Sequence, residues 1–111
     1  MIYVASPYSH TNPEVRYARA ETSFRYVFRL KELGRLSYSP LAYSALFVGV
    51  DPEPSYEFWI EHCLKILGVC SELHVLCLDG WELSKGVCIE IDFAQAHNIP
   101  VTYIEAPDED F

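Results

Sequence analysis

Leu73-His74-Val75-Leu76-Cys77-Leu78 runs into Asp79-Gly80-Trp81-Glu82-Leu83-Ser84-Lys85-Gly86-Val87-Cys88-Ile89-Glu90, and Val101-Thr102-Tyr103-Ile104 follows. This stretch reads as strand, loop, helix, strand. The first run is short, mostly apolar and long enough for a buried strand. Asp79-Gly80 is a turn signal that ends it. Ser84 is a good N-cap, and Val87, Glu90, Ile91 and Ala94 follow at helical spacing. Asn98-Ile99-Pro100 stops the helix, and the β-branched run Val101–Ile104 is the next strand. In an open α/β sheet, ligands sit beyond the carboxyl ends of the strands. Asp79, Ser84, Gly86 and Glu90 all fall there or one helical turn beyond.

The upstream chain repeats the alternation. Ile2-Tyr3-Val4-Ala5 reads as a strand and Ser6-Pro7-Tyr8-Ser9-His10 as a loop. Asn12 is a candidate N-cap with Pro13 at the first helical position and Glu14 in the first turn. That helix extends to about Leu33, where Gly34 stops it. Its apolar positions include Val15, Ala18, Val27, Leu30 and Leu33, with Tyr17, Ala20, Phe24 and Phe28 on an adjoining stripe. So wide an arc fits a helix that covers a sheet on one side and meets another subunit on the other. Leu36–Ser39 is a short strand ended by Pro40. Leu41 to Gly49 reads as a loop or short helix, and Asp51-Pro52-Glu53-Pro54-Ser55 as a break and a flexible lid. A further helix opens at Ser55 or just after it and reaches roughly Val69. The order β, α, β, α, β, α, β implies an α/β fold with a parallel sheet and right-handed crossovers.

The chain has 111 residues, which is one domain by size, 1–111, with residues 105–111 as an acidic tail. Half the residues are hydrophobic, enough for a packed core, but so short a chain leaves much surface exposed. Dimerisation would cover some of it. No run is apolar and long enough to span a membrane. Met1-Ile2-Tyr3-Val4 lacks the basic start of a signal peptide, so a cytoplasmic protein is expected. The net charge is −8, yet residues 1–35 hold six basic and three acidic residues, so the remainder carries −11. That balance argues against binding duplex nucleic acid, which needs a broad basic face. It leaves room for a small phosphate ligand held by backbone N–H groups and one or two cations. Cys63, Cys70, Cys77 and Cys88 lack C-x-x-C spacing and read as small buried hydrophobes in a reducing compartment. His10, His62, His74 and His97 have no metal-ligand spacing, and neither a metal nor a cofactor is expected.

Several residues carry possible chemistry. A helix N-terminus at Ser84-Lys85-Gly86 offers unpaired N–H groups and a partial positive charge, which suits a phosphate or carboxylate. It is equally an ordinary cap. Glu90 sits two turns into a helix whose other inward positions are apolar. Facing the strand ends it can serve as nucleophile or base; turned outward it is one solvated glutamate among many. Asp79 ends a strand and is either a ligand contact or a turn residue. Trp81 is suited to stack on a base or to cover the core. Tyr3, Tyr8 and Tyr43 can bond a sugar or base, or pack.

These residues carry a resemblance. Met1-Ile2-Tyr3-Val4-Ala5-Ser6-Pro7-Tyr8-Ser9, Ser39-Pro40, Asp79-Gly80-Trp81-x-x-Ser84-x-Gly86-Val87-x-x-Glu90-x-x-x-Ala94 and Ile99-Pro100-Val101 resemble the nucleoside 2-deoxyribosyltransferase superfamily. They are most similar to a small branch common in bacteria and phages. The segment Ser84-x-Gly86-Val87-x-x-Glu90 is similar to the motif of that superfamily's deoxynucleoside 5′-monophosphate N-glycosidases. The resemblance implies a flavodoxin-like three-layer α/β/α sandwich, and cleavage of the N-glycosidic bond of a nucleoside or nucleotide. It makes Glu90 the nucleophile and Tyr3 the residue that orients it. Ser84 and Gly86 become phosphate or sugar contacts, and Ser6, Pro7 and Tyr8 line the sugar–phosphate site. It also implies a homodimer or larger homo-oligomer. The superfamily's usual aspartate before the third strand is replaced here by Cys63, with Glu61 and His62 beside it, so that either Asp79 or Glu61 takes the acid role or the activity is weak or lost. The first loop also lacks the glycines of the monophosphate enzymes. A non-catalytic nucleotide-binding module that senses or sequesters its ligand is the alternative, and a subunit-interaction domain is a third.

Overall fold

The structure is a computed structural model, and it describes residues 1–41 and 55–105. Four parallel strands form one sheet: β1 (Ile2–Ala5), β2 (Ser37–Tyr38), β3 (Glu72–Cys77) and β4 (Val101–Glu105), in the order β2-β1-β3-β4. Among the described residues the helices are α1 (Pro13–Glu32), α2 (Tyr56–Leu67) and α3 (Lys85–Ala96), and a 3-10 turn covers Trp81–Leu83. The architecture is the expected α/β one, consistent with a flavodoxin-like sandwich. Within the described residues no helix is long and apolar enough to cross a membrane. The expected lid at 51–55 lies outside the described residues except for Ser55. The segment 41–49 lies outside them beyond Leu41, as do Tyr43 and the acidic tail beyond Glu105.

Strand β1 is central and buried on both faces, so every one of its residues is apolar or aromatic. Alternation along it divides the core. Ile2 and Val4 face α1 with Leu76, Tyr26 and Leu30. Tyr3 and Ala5 face the other way with Leu73 and Val75, against Leu67, Val87 and Ala94 of α2 and α3. Three layers result, with α1 on one face of the sheet and α2 and α3 on the other.

The helix ends follow the sequence signals. Asn12 Oδ1 accepts from the N–H of Glu14 at 2.9 Å, and Ser55 Oγ accepts from the N–H of Phe58 at 3.2 Å. Gly34, at φ +76°, takes the left-handed turn that ends α1.

On α1 the buried residues are Ser23, Tyr26 and Leu30, of which the apolar set named from the sequence holds only Leu30. Leu33 is 64% exposed and Ala18 is exposed, while Val15 and Val27 are half-buried. The inward stripe is more polar than expected because its polar members find partners. Ser23 Oγ shares a hydrogen bond with Ser6 Oγ at 2.7 Å, and the hydroxyl of Tyr26 meets His74 Nδ1 at 2.6 Å. The adjoining stripe of Tyr17, Phe24 and Phe28 is exposed.

The cysteines also depart from expectation in part. Cys70 is buried and Cys63 and Cys77 are half-buried, but Cys88 is exposed on α3. It follows Val87 by 100° around the helix, which carries it off the inward face.

Candidate functional site

Helix α3 brings Glu90 inward. Ser84 Oγ accepts from the N–H of Val87 at 3.3 Å and fixes the start of the helix. From there Val87, Glu90 and Ala94 share the buried face. Glu90 is only 6% exposed among apolar neighbours, so the solvent-facing alternative does not hold.

The partner that receives it is Tyr3. Its hydroxyl, on a side chain with no exposed surface, donates to Oε2 of Glu90. Burial pushes the Glu90 carboxyl up to about 7, and the Tyr3 hydrogen bond acts the other way by favouring the carboxylate. The Tyr3 hydroxyl is pushed well above its ordinary value, first by burial and then by the Glu90 charge. Tyr3 therefore stays a donor.

Cys63 of α2 is a second neighbour of that hydroxyl. Burial raises the Cys63 thiol above its ordinary range, Tyr3 pulls it back in part, and Glu90 adds to the rise. The thiol is consequently protonated at neutral pH. The site is a chain, Cys63 to Tyr3 to Glu90, drawn from α2, β1 and α3.

Neither candidate acid joins it among the described residues. Glu61 is exposed and pairs with Lys65 at 3.2 Å. Asp79 is exposed in the turn after β3, and its contact with the rest of the fold is through its main-chain carbonyl, which accepts from Arg19 Nη2 at 2.9 Å. No hydrogen bond connects either carboxylate to Glu90.

The remaining sequence candidates ring the carboxyl ends of β1 and β3. Ser6 is half-buried and engaged with Ser23, Pro7 is buried and Tyr8 half-buried. Trp81 is half-buried, packs on the core cluster of β1, β3 and α3, and lies 5.5 Å from the ring of Tyr103. Gly86 is half-buried in the first turn of α3. The order β2-β1-β3-β4 places the reversal of strand order between β1 and β3, where ligands of open α/β sheets bind. Among the described residues no group of three His, Cys, Asp or Glu is placed to hold a metal ion.

Two features escaped the sequence. His74 is buried between Tyr26 and Glu72: its Nδ1 meets the Tyr26 hydroxyl and its Nε2 meets Glu72 Oε1, each at 2.6 Å, and Arg35 closes on Glu72 Oε2 at 2.9 Å. This row lies on the α1 face of the sheet. Its only local signal was that Glu72 and His74 share a strand face. The other feature is Arg19, whose two carbonyl contacts no spacing foretells.

The family model described as a domain of unknown function (DUF1937) matches residues 1–106, and the chain belongs to that family. No curated protein matches the chain.

Proposed function

We propose that the protein is an N-glycosidase or 2-deoxyribosyltransferase-like enzyme acting on a nucleoside or nucleotide, within the nucleoside 2-deoxyribosyltransferase superfamily that its sequence resembles. The observation that carries the reading is the buried Tyr3–Glu90 pair. A carboxylate set 6% exposed in an apolar helix face costs stability unless it is used or paired, and among the described residues its hydrogen-bond partner is the Tyr3 phenol. The likeness at Ser84-x-Gly86-Val87-x-x-Glu90 supplies the chemistry.

In that chemistry Glu90, ionised, attacks the anomeric carbon. A C–O ester bond forms as the C–N bond breaks, and the bond pair leaves with the base. Water, or a second base, then attacks the same carbon and releases Glu90 as carboxylate. The proton that ends on the departing base comes from water. Tyr3 holds the attacking carboxylate in place and keeps part of its charge stabilised. A homodimer in the cytoplasm completes the proposal. The exposed stripe Tyr17, Phe24 and Phe28 on α1, at 72%, 50% and 63% exposure, supports the dimer.

One observation favours a second reading, a non-catalytic nucleotide-binding module. The position of the family's aspartate holds Cys63, whose thiol is pushed up and is a weak acid. The discriminating experiment is incubation of the purified protein with deoxynucleosides, deoxynucleoside 5′-monophosphates and NAD, with free base followed by chromatography. Release from one class, lost in Glu90→Gln, supports the enzyme. No release, with thermal stabilisation by one compound, moves the reading to the binding module.

A further inference from the structure

Arg19 stands on α1, across the sheet from Glu90. Its Nη1 donates to the carbonyl oxygen of Ser9 and its Nη2 to that of Asp79, both at 2.9 Å. Ser9 belongs to the loop leaving β1, and Asp79 to the turn leaving β3. These strands are neighbours, and the chain leaves them to opposite faces: α1 follows β1, and α3 follows β3. One guanidinium thus spans the reversal point of the strand order, where α/β sheets bind ligands.

The surroundings fit a clamp. Gly80 follows Asp79 at φ +83°, and a Cβ there would stand 3.4 Å from Arg19 Nη2. On the other loop, α1 makes two more connections: Arg16 Nη1 to the carbonyl oxygen of His10 at 2.9 Å, and Ser23 to Ser6 at 2.7 Å. Both Arg19 acceptors are neutral carbonyls. Each carbonyl is met by a different nitrogen of the planar guanidinium, a spread that the single ammonium nitrogen of a lysine lacks.

We propose that Arg19 is a positioning residue that locks the loop 6–10 against the turn 79–84 across the mouth of the site, and so sets how a ligand lies over Glu90. The proposal rests on the reading that the ligand binds at the carboxyl ends of β1 and β3. It assigns Arg19 no contact with the reacting atoms. Tyr3 and Glu90 sit on β1 and α3 themselves, so their hydrogen bond persists without the clamp while the walls around the ligand loosen.

The test compares wild type with Arg19→Lys and Arg19→Met. Amide hydrogen exchange is read over 6–10 and 79–84, and base release from deoxynucleosides and their 5′-monophosphates is measured alongside. In Arg19→Lys, exchange is expected to rise in both segments together while the rest of the fold keeps its protection. Unchanged exchange, or a rise in one segment alone, overturns the clamp. For release, kcat falls and KM rises in Arg19→Lys, with kcat/KM down about tenfold and the pH midpoint of the rate unmoved. Unchanged kinetics below the unfolding temperature reduce Arg19 to a structural residue. Should wild type release no base from any compound, the glycosidase reading fails, and exchange alone decides the clamp.

Discussion

The Tyr3 hydroxyl, on the central strand, donates to Oε2 of Glu90, on the helix 87 residues later. This contact joins the two halves of the chain inside the core, and it sets the behaviour of the site with pH.

Stability carries the first consequence. The Glu90 carboxyl ordinarily titrates at 4.5 and in the fold is pushed up to about 7 by burial. Between those values the folded protein holds one proton more than the unfolded chain. Stability from this group is therefore full below about 4.5 and lost as pH rises toward 7, by about 3 kcal/mol in total. Glu90→Gln removes that slope and is expected to be more stable than wild type at pH 8. Urea unfolding of both proteins at pH 5 and pH 8 checks this. Parallel changes in the two would mean that Glu90 ionises as freely in the fold as outside it.

Activity carries the opposite sign. A nucleophilic Glu90 must be ionised, so base release is expected to rise with pH through a midpoint of about 7. A rate that falls through the same midpoint would make Glu90 a proton donor instead.

Tyr3→Phe removes a hydrogen bond that favours the carboxylate, so the Glu90 midpoint is expected to move further up. Catalysis at pH 7 falls for that reason, and raising the pH recovers part of it. A pH–rate profile measures both effects. A midpoint that stays in place would show that Tyr3 only fills space.

Trp81→Ala separates packing from base stacking. The ring is half-buried on the core and beside Tyr103, so its removal is expected to lower stability by about 2 kcal/mol. Trp81→Phe restores most of it. If instead stability holds and only the KM for base-containing ligands rises, the ring stacks on the base.

Tyr26→Phe tests the polar row on the other face. It leaves His74 Nδ1 buried without its Tyr26 partner and is expected to cost roughly 1–3 kcal/mol. Base release is unaffected, since the row lies across the sheet from Glu90. Urea unfolding and the release assay read the two effects separately.

Much of this was legible in the chain. Val87, Glu90 and Ala94 fall at helical spacing behind the cap Ser84, and that alone puts the carboxylate among apolar neighbours. The strand runs of β1, β3 and β4 fixed the sheet to within a residue or so at each end. The partner of Glu90 was legible only through likeness, because a contact between β1 and α3 is set by the sheet order and leaves no local mark. On the inward face of α1 Leu30 was legible, but Ser23 and Tyr26 were not, for a related reason. Ser23 and Tyr26 are buried because Ser6 and His74 bond them from other elements, and hydropathy counts them as surface. Arg19 reaches two loops at once through a long side chain, a placement that periodicity cannot express.

The most direct measurement is base release at pH 8, where wild-type Glu90 is largely ionised, by wild type and Glu90→Gln side by side. Wild type is expected to release base and the variant none above background, while the variant keeps its fold and still binds ligand. Release by Glu90→Gln at the wild-type rate would contradict the account and remove Glu90 from the chemistry.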